Sequence, residues 1–180
     1  MTGRLIGVVG PSGVGKDSVM QALASSVTGF TLVRRVITRD ARAGGEDFEA
    51  VTEAEFERRR QAGAFCLHWE AHGLHYGIPK SVKDRIAKGE DVLVNLSRNV
   101  LRDLHGVFPR ITILNITASP ETLAERLAKR GRETPDDIAK RLAKASRVLP
   151  EGLEILEISN DGALEDTVAE ALALLHPASV

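Results

Sequence analysis

The chain has 180 residues, of which 43% are hydrophobic and 27% are charged, and its formal net charge is -1. This length favours one domain. The near-neutral charge argues against nucleic acid as the main partner, because duplex-binding proteins usually carry a strong basic excess. The single cysteine, Cys66, excludes an intramolecular disulfide, and no apolar run is long enough to cross a bilayer. We therefore expect a cytoplasmic protein with no membrane partner, and the sequence specifies no oligomeric state.

Short apolar segments alternate with helical patterns along the chain. The patterns predict strands at 5–9, 31–38, 64–70, 92–94, 111–116 and 153–158. They predict helices after a glycine-rich loop at 10–16, with Val19, Met20, Leu23 and Val27 on one face, and at 52–62, 79–88, 119–131, 135–148 and 163–175. Residues 72–79 are predicted as a loop that runs into the helix at 79–88.

This alternation predicts an α/β fold with a central parallel sheet flanked by helices. We expect one domain over 1–180, with its core at 1–33 and 89–180. The segments at about 34–88 and about 130–137 break the alternation, so they are predicted to be an insert and a lid that close over ligands.

The segment between the first strand and the first helix has the spacing of a phosphate-binding P-loop. It reads Gly10, Pro11, Ser12, Gly13, Val14, Gly15, Lys16. Glycines allow the backbone to turn its N–H groups towards phosphate oxygens, and the next helix presents its positive end to the same anion. A ligand-free glycine-rich turn is the alternative. The strand, the spacing, the lysine and the helix together favour ATP, with Lys16 on its β- and γ-phosphates.

The residue after the lysine is Asp17, followed by Ser18, where P-loops usually have Ser or Thr. The strand at 92–94 leads to Asn95 and has no acid, although many P-loop enzymes use an aspartate there to hold the metal. A carboxylate is a good Mg²⁺ ligand, so we predict that Asp17 supplies the missing acid, with Ser18 as the other candidate ligand. The alternative for Asp17 is a favourable acid in the first helical turn.

Four arginines surround the end of the second predicted strand and the loop after it: Arg34, Arg35, Arg39 and Arg42. The planar guanidinium donates two parallel hydrogen bonds to a phosphate, and Thr38 adds a hydroxyl donor. A solvated loop with scattered charge is the alternative for any one of them. As a cluster beside a P-loop, they predict a second phosphate site for an acceptor.

Several segments resemble the guanylate kinase family over nearly the whole chain. They are Gly10 to Gly13, the acceptor segment Thr38 to Glu46, Tyr76-Gly77, and the lid segment Arg130-Gly131-Arg132-Glu133. The chain departs from that family at the residues that would recognise GMP. Phe48 stands for a tyrosine, His68 before Trp69 for a glutamate, Ile78 for Ser or Thr, and Arg35 for a serine. A site built on polar pairs discriminates strongly when those groups change, so GMP is a poor candidate acceptor.

The pattern is more similar to the ribose 1,5-bisphosphate phosphokinase family of phosphonate breakdown. The matching segments are Gly15 to Ser18, Ala43 to Glu46, Trp69, Gly73-Leu74, Tyr76-Gly77, Val92 to Asn95, Ser97-Arg98 and Arg130 to Glu133. The resemblance implies transfer of the ATP γ-phosphate to a small sugar bisphosphate, giving 5-phosphoribosyl 1-diphosphate and ADP. Its implied acceptor residues are Arg35, Arg39, Arg42, His68 and Tyr76.

The resemblance also assigns roles after the fifth predicted strand. Arg130 and Arg141 are expected to contact the transferring phosphoryl group, with Arg126 on the same helix face as Arg130. Asn160 is expected to lie against adenine. The alternative is a salt-bridged helix surface, since Glu125 with Lys129 and Asp137 with Arg141 have the spacing of i,i+4 pairs.

Two other functions remain open: a nucleoside monophosphate kinase with unusual base recognition, and a noncatalytic guanylate-kinase-like binding module. The retained Lys16, Arg130 and Arg141 argue against the second. A zinc site at His68, His72 and His75 is disfavoured because their spacing crosses a strand end and Gly73, and lining of the acceptor pocket is favoured instead.

Overall fold

The computed structural model describes residues 2–26, 30–145 and 148–176. Val27 of the first predicted helix lies outside these residues. The strands are β1 (Leu5–Val9), β2 (Phe30–Leu32), β3 (Val36–Ile37), β4 (Glu49–Ala50), β5 (Phe65–Ala71), β6 (Leu74–Pro79), β7 (Asp91–Asn95), β8 (Ile111–Thr117) and β9 (Glu154–Ser159). The α-helices are α1 (Lys16–Ser26), α2 (Glu53–Gln61), α3 (Ser81–Ala87), α4 (Pro120–Arg130), α5 (Pro135–Ala145) and α6 (Leu164–Leu175), and 3₁₀ turns occupy Ala41–Ala43 and Arg98–Gly106. Within the described part, no helix is both long and apolar enough to span a bilayer.

The core is a five-stranded parallel sheet in the order β2-β7-β1-β8-β9. All five residues of the central strand β1 are buried, because the sheet is covered on both faces. Leu5 and Val9 belong to one apolar cluster and Ile6 and Val8 to the other, as the alternation of side chains along a strand requires. The predicted α/β fold with a central parallel sheet is confirmed.

A second sheet, in the order β4-β3-β6-β5, lies within the predicted insert. The single strand predicted at 31–38 is wrong: β2 pairs with β7 of the core sheet, whereas β3 pairs with β4 and β6. The chain thus passes from one sheet to the other between Leu32 and Val36. Local apolar content could not show this change, because it depends on which distant strand each half pairs with.

The loop predicted at 72–79 is also wrong, since β6 pairs antiparallel with β5. The two strands are joined by His72 and Gly73, which have φ values of 55° and 73°. Positive φ at both central residues is the geometry of a tight two-residue hairpin turn. A glycine that suggested an open loop therefore marks a hairpin instead.

Helix ends follow their local signals. Thr52 accepts a hydrogen bond from the Glu55 N–H, Ser119 accepts one from the Thr122 N–H, and Gly131 ends α4 in the left-handed conformation. Helix α5 is described as far as Ala145, three residues short of its predicted end at 148. Helix α3 lies within the predicted insert, yet it packs Val82 and Ile86 into the apolar cluster of the core sheet.

Candidate active site

The P-loop joins β1 to α1 at the carboxyl edge of the core sheet. Gly13 and Gly15 have φ values of 85° and 93°, a conformation that residues with a Cβ rarely adopt. The Val14 N–H bonds the Pro11 carbonyl at 3.3 Å, which closes the turn, while Ser12 and Ser18 are exposed. The local sequence thus forms the curled backbone that a phosphate requires.

Two residues from the far end of the chain brace this loop. The Asn160 side-chain amide donates to the Val14 carbonyl at 2.8 Å, and the Arg126 guanidinium donates to the same carbonyl at 3.2 Å and to the Asn160 carbonyl at 2.6 Å. Thr167 Oγ donates to Asn160 Oδ1 at 2.7 Å and fixes that side chain. A Cβ at Gly15 would lie 2.7 Å from Asn160 Nδ2, so a glycine is required there for packing as well as for its φ. Arg126 and Asn160 therefore both contact the P-loop.

Lys16 lies folded over the P-loop, and its Nζ donates to the Gly10 carbonyl at 2.6 Å. Its pKa is lowered to about 8, mainly by burial; the charges of Asp17 and Glu46 oppose this shift, and those of Arg35 and Arg98 add to it. A buried ammonium with one carbonyl partner gains from an incoming phosphate, which supplies the missing negative charge.

Asp17 lies next to Lys16 at the start of α1. Burial, followed by the negative charge of Glu46, raises the pKa of the Asp17 carboxyl. Asp17, Glu46, Asp47 and Asn95 line one cleft between the P-loop and the insert. These oxygen donors suit Mg²⁺, which prefers one or two carboxylates together with substrate phosphates and water over a full protein cage. The described residues contain no cluster of three or more His, Cys, Asp or Glu that could hold a metal ion.

Three of the four arginines of the predicted acceptor cluster are ion-paired. Arg34 pairs with Asp47, Arg42 with Asp40, and Arg35 with Glu46. The Arg42 pair is on the surface, with 90% of the arginine side chain exposed. Arg42 is therefore the most exposed of these three paired arginines.

The Arg35–Glu46 pair is the buried one, with side-chain exposures of 7% and 15%. Two guanidinium nitrogens of Arg35 bond the two carboxylate oxygens, and the guanidinium lies 4.8 Å from the ring of Tyr76. Tyr76 stacks on Trp69 with ring centroids 5.3 Å apart. Arg35 and Tyr76 are thus brought together. Glu46, the ion-pair partner of Arg35, is also near enough to Asp17 and Lys16 for its negative charge to raise the pKa of both.

Arg39 is the exception in the cluster, since it makes no ion pair within the ranges that the structure describes. Its guanidinium lies 4.3 Å over the ring of Phe48, one Nη donates to the Gly44 carbonyl at 3.2 Å, and its Nε is buried without a hydrogen-bond partner. Arg39 Nη2 and Asp17 Oδ2 both lie 3.9 Å from the position of a Cβ on Gly45. Arg39 and Asp17 therefore both lie beside Gly45.

The structure does not bring His68 to this group. His68 pairs with Gly77 across the hairpin, whereas Trp69 pairs with Tyr76, and neighbouring residues of a strand point to opposite faces. Leu67, two residues from Trp69, is the buried side chain on the face of Trp69. The expectation that His68 lines the acceptor pocket failed to account for this alternation.

The other two histidines also make their contacts away from the arginine cluster. His72 lies in the hairpin turn, and the ring of His75 packs against Phe56 of α2 at 5.4 Å. The three histidines do not converge on a common point.

The predicted lid joins α4 to α5. Arg130 is exposed at the end of α4, and Arg141 of α5 lies 3.5 Å from Glu133. The predicted pairing of Asp137 with Arg141 is wrong, because Asp137 instead accepts hydrogen bonds from Thr134. Glu133 is only 9% exposed, and its Oε2 has no partner among the described residues.

Three residues gained no individual role from the sequence: Glu46, Arg98 and Glu133. Each lies in a segment that matches the phosphokinase pattern, and this match is the sequence feature that could have identified it. Their partners are distant in sequence or belong to the lid, so spacing alone did not reveal the contacts.

Comparison with known proteins places this site in a family. Residues 2–176 match the family model described as guanylate kinase. The chain is 50% identical to the ribose 1,5-bisphosphate phosphokinase PhnN of Ruegeria sp. (strain TM1040), covering 97% of this chain and 92% of that protein. It is 46% identical to the protein of the same name from Pseudomonas paraeruginosa (strain DSM 24068 / PA7), over 97% of this chain and 96% of the other.

Among solved structures, guanylate kinase from Anaplasma phagocytophilum superposes with a TM-score of 0.67 at 21% identity, covering 97% of this chain and 84% of that chain. At this identity the likeness shows the fold, which agrees with the parallel sheet and the P-loop. The extent and identity of the sequence matches show more: the chain is a kinase that belongs to the guanylate kinase family and, within it, to the family of the ribose 1,5-bisphosphate phosphokinases.

Proposed function

We propose that the protein transfers the γ-phosphate of ATP to the 1-phosphate of ribose 1,5-bisphosphate in phosphonate catabolism. The products are 5-phosphoribosyl 1-diphosphate and ADP. The observation that carries this proposal is the position of Arg39, an arginine without an ion pair in the described chain, across Gly45 from the P-loop residue Asp17. A second anion site adjoins the first, as transfer between two phosphates requires.

The chemistry around the acceptor site supports a substrate without a base. Leu67 and Ile78 are buried apolar side chains on the face of Trp69, where Arg35 and Tyr76 also lie. These groups offer positive charge and aromatic surface, and two Arg35 nitrogens that could bond a purine edge are already bonded to Glu46. The relatives named above as ribose 1,5-bisphosphate phosphokinases support the same acceptor.

In the proposed reaction, an oxygen of the acceptor 1-phosphate attacks the γ-phosphorus, and the bond to the β–γ bridging oxygen breaks with its electron pair leaving on ADP. The nucleophile is already anionic, so no general base is needed. Lys16 and the P-loop N–H groups from 10–16 hold the donor phosphates, and Arg130 and Arg141 stabilise the charge of the transferring group. Arg126 and Asn160 keep the loop in shape from the adenine side, and closure of the lid excludes water.

Mg²⁺ would be held by Asp17, with Ser18 as the other candidate, and when bound it neutralises charge on the transferring phosphates. Titration of the magnesium dependence tests this role in Asp17→Ser and Asp17→Asn, with magnesium-dependent ATP affinity as a second readout. We expect both variants to require more magnesium. Unchanged dependence in both would contradict a role for Asp17.

The proposal also includes the ligands, the cellular location and the absence of macromolecular partners. ATP and a small sugar bisphosphate are the proposed ligands, in the cytoplasm, with no nucleic-acid or membrane partner. The acceptor is expected to contact Arg39 first, with Arg35 and Tyr76 behind it.

Phosphorus NMR tests the reaction directly. The purified protein is incubated with Mg·ATP and ribose 1,5-bisphosphate, with GMP in a parallel sample. A new pair of diphosphate doublets on the sugar, with GMP unchanged, is the expected result. Conversion of GMP to GDP with no reaction of the sugar would contradict the proposal and support a nucleoside monophosphate kinase.

A further inference from the structure

We propose that Phe48 is a positioning residue that holds the Arg39 guanidinium in place for the acceptor phosphate. The proposal deepens the proposed function and rests on it, because it assigns the phosphate contact of the same acceptor site. The guanidinium lies 4.3 Å from the centroid of the Phe48 ring, within the range of a cation–π contact.

Arg39 has few other restraints. Arg34, Arg35 and Arg42 each have a carboxylate partner, whereas Arg39 has one hydrogen-bond partner among the described residues, the Gly44 carbonyl at 3.2 Å. A long side chain with one hydrogen bond would sample several rotamers and lose entropy on binding phosphate. The ring of Phe48 restricts that sampling before the acceptor arrives.

Phe48 is suited to this role because it is itself immobile. It is only 9% exposed and packs with Ile37 and Tyr76 in the small apolar cluster of the second sheet. A ring anchored in this cluster presents one face to Arg39. The ring also excludes water from one side of the guanidinium, which strengthens its attraction for an anion.

The buried Nε of Arg39 points to a missing ligand. A buried N–H without a partner costs free energy, and such groups in native structures are usually satisfied by a ligand, an ion or water. A phosphate that approaches the fork of the guanidinium would accept bonds from two of its nitrogens. The aromatic face holds Arg39 without using any of its donors, unlike the carboxylates that occupy the other three arginines.

The test compares Phe48→Leu with Phe48→Tyr. Leucine keeps an apolar side chain but lacks the aromatic face, whereas tyrosine retains the ring. Phe48→Leu should raise the KM for ribose 1,5-bisphosphate roughly 3- to 30-fold, the size of a partly desolvated cation–π contact, with the KM for ATP unchanged. Phe48→Tyr should remain close to wild type. Ile37→Val is the control for lost packing in the same cluster, and it should lower stability without changing the acceptor KM.

The decisive arm repeats Phe48→Leu in an Arg39→Lys background. If Phe48 acts through the guanidinium, its substitution should add little there, since the compact ammonium cannot lie flat on the ring. An equal increase in acceptor KM in both backgrounds would overturn the proposal, as would equal effects of the leucine and tyrosine variants.

A binding measurement separates this proposal from the reaction itself. Trp69 is the only tryptophan and lies beside Arg35 in the acceptor site, so its fluorescence reports on this region. With the P-loop filled by a non-hydrolysable ATP analogue, the protein is titrated with inorganic phosphate. Weaker phosphate binding in Phe48→Leu than in the wild-type protein supports the role of the ring even if ribose 1,5-bisphosphate is not turned over. Equal binding in Phe48→Leu and wild type overturns it.

Discussion

The P-loop and the arginine cluster are both proposed to bind phosphate, but the molecule holds them in different ways. The P-loop is held by hydrogen bonds from Asn160 and Arg126 to its own backbone, so its curled shape is formed without a ligand. In the cluster, three arginines are neutralised by carboxylates and one is supported by a ring. A phosphate at the P-loop would therefore meet a braced backbone, whereas the acceptor would meet Arg39, which makes no ion pair among the described residues. The comparison implies tight donor binding and an acceptor site sensitive to small displacements.

The largest effect expected is on the donor side. Lys16→Met removes the ammonium that is proposed to face the β- and γ-phosphates and should lower kcat/KM roughly 100- to 1,000-fold while the fold is retained. Steady-state kinetics and circular dichroism measure the two quantities. Lys88→Met, on the exposed C-cap of α3, is the control and should match wild type. Activity near wild type in Lys16→Met would remove the P-loop from the chemistry.

A smaller effect should separate two neighbouring glycines on the acceptor side. Gly44 and Gly45 both have positive φ, but only at Gly45 would an added Cβ lie near Arg39 and Asp17. Gly44→Ala and Gly45→Ala should each lower the free energy of unfolding by about 1–2 kcal/mol. Only Gly45→Ala should raise the acceptor KM, by roughly 10-fold, because its methyl group would occupy space beside Arg39 and Asp17 that the two proposed phosphate sites share. Equal acceptor KM values in the two variants would show that the space beside Gly45 is not used.

The lid should show a smaller effect again. Glu133 is buried beside Arg141, and the neutral amide of Glu133→Gln would hold that guanidinium less firmly. We expect kcat to fall roughly 2- to 10-fold with the acceptor KM unchanged. The exposed Glu125 on α4 provides the control variant, Glu125→Gln. A change in acceptor KM without a change in kcat would place Glu133 in the acceptor site instead.

The smallest expected effect is the uptake of a proton by Lys16 when ATP binds. Burial lowers the pKa of Lys16 to about 8, from an ordinary value of 10.5, so the free protein has a largely neutral Lys16 at pH 9. ATP phosphates favour the charged form and raise this pKa, so binding should take up a fraction of a proton at pH 9 and almost none at pH 7. Calorimetry in buffers of different ionisation enthalpy measures the uptake. Equal uptake at both values, or its persistence in Lys16→Met, would contradict the assignment.

The lowered pKa of Lys16 also makes the free energy of unfolding depend on pH. Between pH 8 and 10.5 the unfolded chain binds more protons at Lys16 than the folded chain does, so this group makes the folded state more stable as pH rises through that window. Bound ATP should reduce the dependence.

Features set by local sequence could be predicted, and those set by distant partners could not. The P-loop, the caps at Thr52 and Ser119 and the end of α4 at Gly131 depend on a few adjacent residues, and they agree with the structure. The separation of β2 from β3 depends on pairing with β7 and β6, which the apolar pattern at 31–38 does not encode.

The residues of the candidate site also divide into those that local motifs identify and those whose contacts depend on distant partners. Motif spacing identified Lys16, Asp17, Arg35 and Arg39, which the structure brings together. It also assigned His68 to the acceptor site, although the position beside Trp69 puts the His68 side chain on the opposite face of β5, and that role stays a prediction. It gave no role to Glu46, whose importance comes from its pairing with a buried arginine eleven residues away. The roles of the site residues in catalysis stay predictions that the variants above test.

The hydrogen bonds that hold the P-loop backbone have a consequence for the order in which the protein folds during synthesis. The loop begins at residue 10, but two of the side chains that hold its backbone are Arg126 and Asn160. During synthesis the phosphate-binding segment leaves the ribosome early, yet it lacks its supports until β9 has been made and has paired with β8. Competence to hold nucleotide is therefore acquired late, and affinity for ATP reports that nearly the entire polypeptide has assembled.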